Sequence, residues 1–350
     1  MANHKPFSAI PAVWKTQKSA VSTLPWLFAG LRFRMQWRGL ALAFVLLCAA
    51  RLLAQKEEAP ENLPENHANP EGTFVVHVNE VAVSFFAMDK HHRWIADLSE
   101  SEIHLRDNGL PPDSIRSFQP QTGAPLRIGL ILDTSGSILH QFKAEKEAAE
   151  LFVRNIVDPA KDLAFVLGFS NDLVLAQDLT EDRQALAAGV QKLKVSGATA
   201  VYDAIDFSCK KLALLDGRLL RRILILVTDG HDNSSLSSPE LVIENAIRSN
   251  VVVIVLNTEP QPSSSDPEYK ILQKLAEETG GWILPASNKK QVAKALEQLN
   301  AELRQYYLLA YRPAQFIRDG SYRKIQLKTT RHGVHVTCRR GYFAEPVVDK

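Results

Sequence analysis

Three short apolar runs that lack polar alternation constrain the fold of this chain more than any other feature. They cover residues 127–133, 223–228 and 250–256, and the last contains Val-Val-Val-Ile-Val-Leu without a break. Strands of this composition are buried on both faces, as in parallel sheets covered by helices. Segments with helical spacing of apolar residues, such as residues 139–157 and 201–215, separate the runs. The alternation predicts an α/β domain with a doubly wound, mostly parallel sheet.

Oxygen-bearing side chains follow the first of these runs at every second position. Asp133, Ser135 and Ser137 lie in the loop after the strand, and Gly136 allows this loop a tight backbone path. In a loop that turns over a strand end, such spacing can direct several oxygens to one point. One carboxylate and two hydroxyls form a hard oxygen set, which suits Mg²⁺ or Mn²⁺ better than zinc. The loop is therefore a candidate for part of a metal site.

Two further loops offer the remaining oxygens. Thr199 lies among small residues before a predicted helix, and Thr228 and Asp229 end the second apolar run. Open parallel sheets bind ligands at the rim formed by the carboxyl ends of their strands. The candidate metal ligands are therefore Asp133, Ser135, Ser137, Thr199 and Asp229.

The pattern Asp133-Thr-Ser-Gly-Ser137, together with a distant Thr199 and a distant Asp229, resembles the metal-ion-dependent adhesion site of von Willebrand factor type A (VWA) domains. The resemblance implies a Rossmann-like fold in which Ser135, Ser137 and Thr199 bind the ion directly. It implies that Asp133 and Asp229 bind the ion directly or through water. An acidic group of a partner would take the sixth coordination position. The alternative is that the two serines and Thr199 only cap helices and turns, as such residues often do.

The resemblance covers about residues 125–305, and regions of different composition flank it. Residues 73–120 and 306–345 contain β-branched, aromatic and alternating residues separated by turns, which indicates strands. A β unit of about 45 residues is too small to be stable alone. We therefore expect both segments to form one small β-sandwich beside the α/β domain. This order of segments also resembles, more loosely, a group of secreted VWA-related proteins that is common in acidobacteria.

The first 54 residues predict export. Residues 35–54 combine a basic start with an apolar run, the layout of a secretory signal. This run is shorter than the roughly 20 apolar residues of a membrane span. Met35 would begin a signal of ordinary length, so the start is either Met1 or Met35, and an uncleaved segment would leave a membrane tether. Residues 55–72 are rich in Glu, Pro and Asn and predict a disordered linker. We expect a periplasmic, cell-envelope or secreted protein.

Composition narrows the classes of function. The 350 residues include 45% hydrophobic and 23% charged side chains, which is enough apolar material to bury a core. A net charge of +2 gives no reason to expect a nucleic-acid partner. Three cysteines do not make a disulfide framework. Cys48 belongs to the predicted signal, and we expect Cys209 and Cys338 to be free thiols unless the fold brings them together.

The candidate site favours binding over catalysis. A direct shell of neutral hydroxyls leaves the ion much of its positive charge, so its open position should attract a carboxylate. Hydrolysis would need a base beside a metal-bound water, and the only nearby candidates, Asp133 and Asp229, are already committed to the metal. The sequence has no Ser-His-Asp order, phosphate-binding loop or zinc signature. We expect a protein that is not an enzyme and binds an Asp or Glu of a partner protein.

Two other functions and several neighbouring residues stay open. The alternatives are an envelope protein in which the metal only stabilises the fold, and a chelatase-like accessory subunit. Asp203 either supports a loop or lies on a solvated helix face. His231 and Asp232 either meet a ligand at the rim of the site or belong to a surface loop, and we expect the surface loop.

Overall fold

The computed structural model describes residues 80–91, 93–215 and 220–345. These residues all belong to the second of two compact units, Val75–Lys350. The predicted signal segment, the predicted linker and residues 73–79 lie outside the described residues. No helix among the described residues is long and apolar enough to span a membrane.

Strands and helices alternate through the central part of the chain. The strands are β1 (Val81–Asp89), β2 (Ile103–Asp107), β3 (Ser114–Thr122), β4 (Leu126–Asp133), β5 (Leu163–Phe169), β6 (Leu173–Thr180), β7 (Arg221–Thr228), β8 (Val251–Asn257), β9 (Ile283–Pro285), β10 (Gln305–Arg312), β11 (Tyr322–Thr329), β12 (Val334–Cys338) and β13 (Gly341–Phe343). The α-helices are α1 (Phe142–Ile156), α2 (Arg183–Lys192), α3 (Val201–Ala213), α4 (Pro239–Arg248), α5 (Pro267–Thr279) and α6 (Lys289–Glu302).

A six-stranded sheet forms the centre of the α/β domain. Its spatial order is β6-β5-β4-β7-β8-β9, so the chain winds outward in both directions from β4. All neighbouring strands are parallel except β5 and β6, which are antiparallel. The predicted doubly wound, mostly parallel fold is confirmed.

Both faces of this sheet are covered, which explains the apolar runs. In β8, Val252, Ile254 and Leu256 pack into one core with α1, α2 and α6. The alternate side chains, Val253 and Val255 among them, pack into a second core with α3, α4 and α5. Because successive side chains of a strand point to opposite faces, a strand with helices on both sides needs an apolar residue at every position.

Helix boundaries follow local capping chemistry. Asp182 and Ser238 accept hydrogen bonds from main-chain N–H groups in the first turns of α2 and α4, and Pro239 occupies the first position of α4. Helix α1 was predicted from residue 139 but begins at Phe142. The residues before it form a 3₁₀ turn, Gly136–Ile138, that continues the loop after β4.

The two terminal β segments form a β-sandwich. One antiparallel sheet has the order β12-β1-β10-β3 and the other has the order β13-β11-β2, so each contains strands from both ends of the described chain. Phe85 of β1 lies opposite Tyr307 of β10, and their rings stack with centroids 5.1 Å apart. Phe85, Tyr307, Leu105 and Ile325 share one buried core that draws on both sheets. The predicted sandwich is confirmed.

A buried arginine joins the sandwich to the α/β domain. Arg221, the first residue of β7, lies between the rings of Phe86 and Tyr306, with its guanidinium carbon 4.2 Å and 4.1 Å from the two ring centroids. Cys209 is buried in the α/β domain, Cys338 lies in the sandwich, and both are free thiols, as expected.

Candidate metal centre

Asp133 forms the floor of the candidate site at the carboxyl end of β4. Its side chain is fully buried. One carboxylate oxygen accepts a 2.8 Å hydrogen bond from the main-chain N–H of Ser135, and the other accepts a 2.8 Å bond from the Thr228 hydroxyl. The first bond folds the loop back over the strand end, and the second ties β4 to the adjacent strand β7. The Asp133 carboxylate is thereby fixed at the rim of the sheet.

Two serines connect this floor to a second loop. The Ser135 and Ser137 hydroxyl oxygens lie 3.0 Å apart, and Ser137 donates a 2.6 Å hydrogen bond to Asp229. Asp229 follows the last residue of β7, 92 positions after Ser137 in the chain. Four of the five predicted ligands therefore belong to one hydrogen-bonded network at the carboxyl ends of β4 and β7.

The loop that contains Thr199 is hydrogen-bonded to the same network through its main chain. Gly136 donates a 3.2 Å bond to the Gly197 carbonyl, and Ser196 donates a 2.7 Å bond to the Thr134 carbonyl. Thr199 itself is buried, and its N–H donates a 2.9 Å bond to the side chain of Asn233, in the loop after Asp229. The three loops predicted from the sequence to form the site therefore contact one another.

Gly197 allows this close approach of the loops. Its φ angle is +68°, and a Cβ atom on this residue would lie 1.8 Å from Asn171 Oδ1. A larger residue would adopt a strained backbone and would displace the Asn171 side chain, so the position favours glycine.

Burial and like charge shape the electrostatics of the site. The pKa of Asp133 is raised to about 6, mainly by burial. The nearby Asp229 carboxylate also raises it, and the hydrogen bonds from Ser135 and Thr228 oppose the shift. A buried carboxylate with a second carboxylate nearby also attracts a cation. The donor set of two carboxylates and neutral hydroxyls fits a hard divalent ion.

Glu145 is a further buried acidic residue on α1, the helix that follows the Asp133 loop, and it was not among the predicted ligands. It lies in the first turn of α1 and is only 3% exposed. Neither of its carboxylate oxygens has a hydrogen-bond partner within the described part of the chain. Its position between Phe142 and Ala149 on the buried face of α1 is the sequence signal that could have identified it, because a charged residue interrupts the apolar stripe there.

The residues around the rim support the loops. Asp203 accepts two 2.9 Å hydrogen bonds from the main-chain N–H groups of Leu236 and Ser237, which decides its role in favour of loop support. His231 is exposed and lies 2.7 Å from a Glu268 carboxylate oxygen, as a surface-loop residue would. Asp232 accepts hydrogen bonds from within its own loop.

No three His, Cys, Asp or Glu side chains converge as a metal-binding group among residues 80–91, 93–215 and 220–345. This agrees with the composition of the candidate site, in which only two carboxylates, those of Asp133 and Asp229, accompany hydroxyl groups. A metal ion at this position would depend on serine and threonine oxygens for much of its coordination.

The chain has an open, doubly wound α/β sheet with polar loops at the carboxyl ends of its central strands. These features are typical of α/β domains that bind ligands at the edge of an open sheet. Within that class, the family model of the von Willebrand factor type A domain matches residues 128–302, half of the chain, and the chain belongs to this family. No curated protein matches the sequence.

Several solved structures are similar to part of the chain. A von Willebrand factor type A protein from Catenulispora acidiphila has 15% identity and a TM-score of 0.44, and the match covers 69% of this chain and 72% of that one. An aerotolerance-related membrane protein from Bacteroides fragilis, with multiple mutations to serines, has 17% identity and a TM-score of 0.41, over 50% of this chain and 98% of that one. Proximal thread matrix protein 1 from the mussel byssus, whose metal-ion-dependent adhesion site (MIDAS) motif is occupied by zinc, has 17% identity and a TM-score of 0.46. The match covers 57% of this chain and 50% of that one.

Proposed function

We propose that this chain is an exported interaction protein that binds an acidic group of a partner protein through Mg²⁺ or Mn²⁺. The ion would be held by Asp133, Ser135, Ser137, Thr199 and Asp229. VWA domains mediate protein–protein interactions and are typically not enzymes, and membership of this family supports an interaction module.

The observation that carries the proposal is the hydrogen bond between Ser137 and Asp229. These residues are 92 positions apart, yet their side chains are 2.6 Å apart, and Ser137 also contacts Ser135. A network of this kind brings oxygens from separate loops to one place before any ion binds. Preorganised ligands lose little conformational freedom when the ion arrives.

The site is graded from buried to exposed, which suits the capture of a macromolecular ligand. Asp133, Ser135 and Thr199 are buried, whereas Ser137 is exposed and Asp229 is half-buried. The buried residues would hold the ion on the side of the sheet, and the ion would be accessible to a partner on the solvent side. A divalent ion bound mainly by neutral hydroxyls would attract a carboxylate to its open position. The absence of a free base in the candidate set favours binding over hydrolysis.

Export rests on the predicted signal at residues 35–54, which lie outside the described residues. A secreted or periplasmic location would place the site where Mg²⁺ and partner proteins of the envelope are available. The test is the cellular fraction in which the full-length chain accumulates, compared with a chain that lacks residues 1–54. Accumulation of both chains in the cytoplasm would refute export.

Calorimetric titration with MgCl₂ and MnCl₂ tests the metal site. We expect saturable binding by the wild-type protein and a loss of at least about tenfold in affinity for Asp133→Ala and Ser137→Ala. Asp178→Ala is a matched control, because Asp178 is an exposed carboxylate on the edge strand β6, paired with Lys211. Equal affinity in all four proteins would refute the site.

Partner binding is tested with envelope extract passed over immobilised wild-type and Asp133→Ala proteins, first in Mg²⁺ and then in EDTA. We expect proteins that elute with EDTA from the wild type and do not bind the variant. The alternative of a structural envelope protein predicts that Mg²⁺ raises the melting temperature but that retention of extract proteins is the same with Mg²⁺ and EDTA.

A further inference from the structure

A cavity of about 430 Å³ lies where the β-sandwich meets the edge of the central sheet. One of its walls is a face of the paired strands β1 and β12. Phe86 lies opposite Thr337, and Met88 lies opposite His335, so these four side chains point to the same face. The alternate residues of β1 pack into the core of the sandwich. This wall is therefore the face of the sheet that points away from that core.

The opposite wall of the cavity belongs to the α/β domain. It includes Trp282, which precedes the edge strand β9, Leu284 of that strand, and Glu302 at the end of α6. The ring of Trp282 packs edge-on against Phe86, with ring centroids 4.7 Å apart, and thereby links the two walls. Small-molecule sites often lie between domains, are lined mainly by apolar and aromatic side chains, and have volumes of roughly 300–1,000 Å³. The cavity has these properties.

The charged residues of the cavity are unevenly placed. Lys90 is exposed at the cavity and forms no ion pair within the described residues. The neighbouring Asp89 carboxylate is already bound by the Arg93 guanidinium group, at 2.8 Å. The acid of the opposite wall, Glu302, is buried and offers no attraction to an anion. An anionic group would therefore be stabilised at the exposed end, beside Lys90, while the buried part of the cavity favours an apolar group.

We propose that this cavity binds a medium-sized carboxylic acid with an apolar body. The apolar body lies between Phe86, Met88 and Trp282, and the carboxylate pairs with the Lys90 ammonium group. Acyl chains and aromatic acids share this chemistry, and the flexible thioether of Met88 can adapt to either shape. The site is separate from the candidate metal centre, because none of the five predicted metal ligands lines the cavity.

The test is calorimetric titration of the full chain with decanoate and with phenylbutyrate, below the concentrations at which they form micelles. EDTA is present, so that a divalent ion cannot bind the acids. Decylamine and phenylbutylamine are matched controls, because they have similar apolar bodies and a positive charge. We expect saturable binding of at least one acid, and about fivefold weaker binding of the matching amine. The acid that binds more tightly shows whether the site prefers an acyl chain or an aromatic body. Failure of both acids to bind, or equal affinity of an acid and its amine, would overturn the proposal.

Variants locate the bound acid in the cavity. We expect Lys90→Glu to weaken acid binding by about fivefold. Lys328→Glu should leave binding unchanged, because Lys328 is an exposed lysine of β11 outside the cavity. Met88→Trp places a larger side chain in the cavity and should abolish binding, and urea unfolding checks that this variant is folded. Lys90 lies on the surface, so its variant decides the question even if Met88→Trp does not fold. Unchanged acid binding by Lys90→Glu would overturn the proposal.

Discussion

The hydroxyl of Thr228 donates a 2.8 Å hydrogen bond to the buried carboxylate of Asp133. The same hydroxyl accepts a 3.0 Å bond from the main-chain N–H of Gly230. One side chain at the end of β7 thus holds the floor of the candidate site and the start of the loop that contains Asp229. The sequence placed Thr228 at a strand end but did not indicate this bond.

Replacement of Thr228 by valine should destabilise the protein. Valine keeps the shape of threonine but removes the donor to Asp133, and an unsatisfied buried acceptor costs about 1–3 kcal/mol. Urea unfolding in EDTA measures this difference, and Thr228→Ser, which keeps the hydroxyl, is the control. A valine variant as stable as the serine variant would contradict the assigned hydrogen bond.

Asp107 should be essential to the stability of the β-sandwich. It is buried, and one of its oxygens accepts hydrogen bonds from the hydroxyls of Tyr311 (2.8 Å) and Tyr342 (2.9 Å), which belong to different sheets. We expect Tyr311→Phe to lower the free energy of unfolding by about 1–3 kcal/mol. Tyr322→Phe is the control, because Tyr322 donates a bond of similar length to Glu278 on the surface. The expected loss there is within about 0.5 kcal/mol, and equal losses at both sites would contradict the prediction.

Arg221 should not tolerate a change to lysine. Its guanidinium lies between the rings of Phe86 and Tyr306, and a lysine ammonium group cannot stack in the same way. Loss of this arrangement should reduce the free energy of unfolding by about 1–2 kcal/mol, as measured in urea. Arg116→Lys, at an exposed arginine 3.8 Å from Glu80, should have little effect. Identical unfolding midpoints for the two variants would refute the role of Arg221 at the join between the sandwich and the α/β domain.

Glu302 should make stability depend on pH. It is 2% exposed, and burial raises its pKa from 4.5 to about 7, against a 3.3 Å hydrogen bond from Gln298. The folded protein therefore keeps the proton over a range in which the unfolded chain has lost it. The stability due to this group is fully present below pH 4.5 and is lost as the pH rises to about 7.

Glu302→Gln should remove this dependence. Between pH 5 and 8 the stability of the wild type should fall, relative to that of the variant, by on the order of 1–3 kcal/mol. Urea unfolding at several pH values in this range measures the difference, and Glu297→Gln, an exposed position on the same helix, should follow the wild type. Parallel pH profiles of wild type and Glu302→Gln would contradict the buried state of this carboxyl group.

The central sheet was predictable because its signal is local. A strand such as β8 is apolar at every position because both of its faces are buried, and this pattern is visible without any knowledge of neighbouring strands. Edge strand β6, by contrast, is exposed at several of its apolar positions. Its exposed apolar residues and its antiparallel pairing with β5 depend on its place at the border of the sheet.

The candidate site also contains residues that the sequence predicts and contacts that it does not. Strand ends and donor residues can be located along the sequence, so Asp133 and Asp229 were candidates before the fold was known. Their partners were harder to find. Thr228 was predicted only as the end of a strand, and the prediction did not include Glu145. The hydrogen bond of Thr228 and the burial of Glu145 depend on how a strand end and a helix pack against their neighbours.

The sequence by itself determined the α/β class, the positions of the buried strands and the oxygen-rich loops that follow them. Each of these features depends on residue types within a few positions of one another. The two-residue period of strands and the 3.6-residue period of helices make the pattern visible in the sequence. Only the tertiary structure decided that Ser137 contacts Asp229 and that the Thr228 hydroxyl donates to the buried carboxylate of Asp133. Those relationships join distant parts of the chain, and they depend on the packing of loops and helices against a completed sheet.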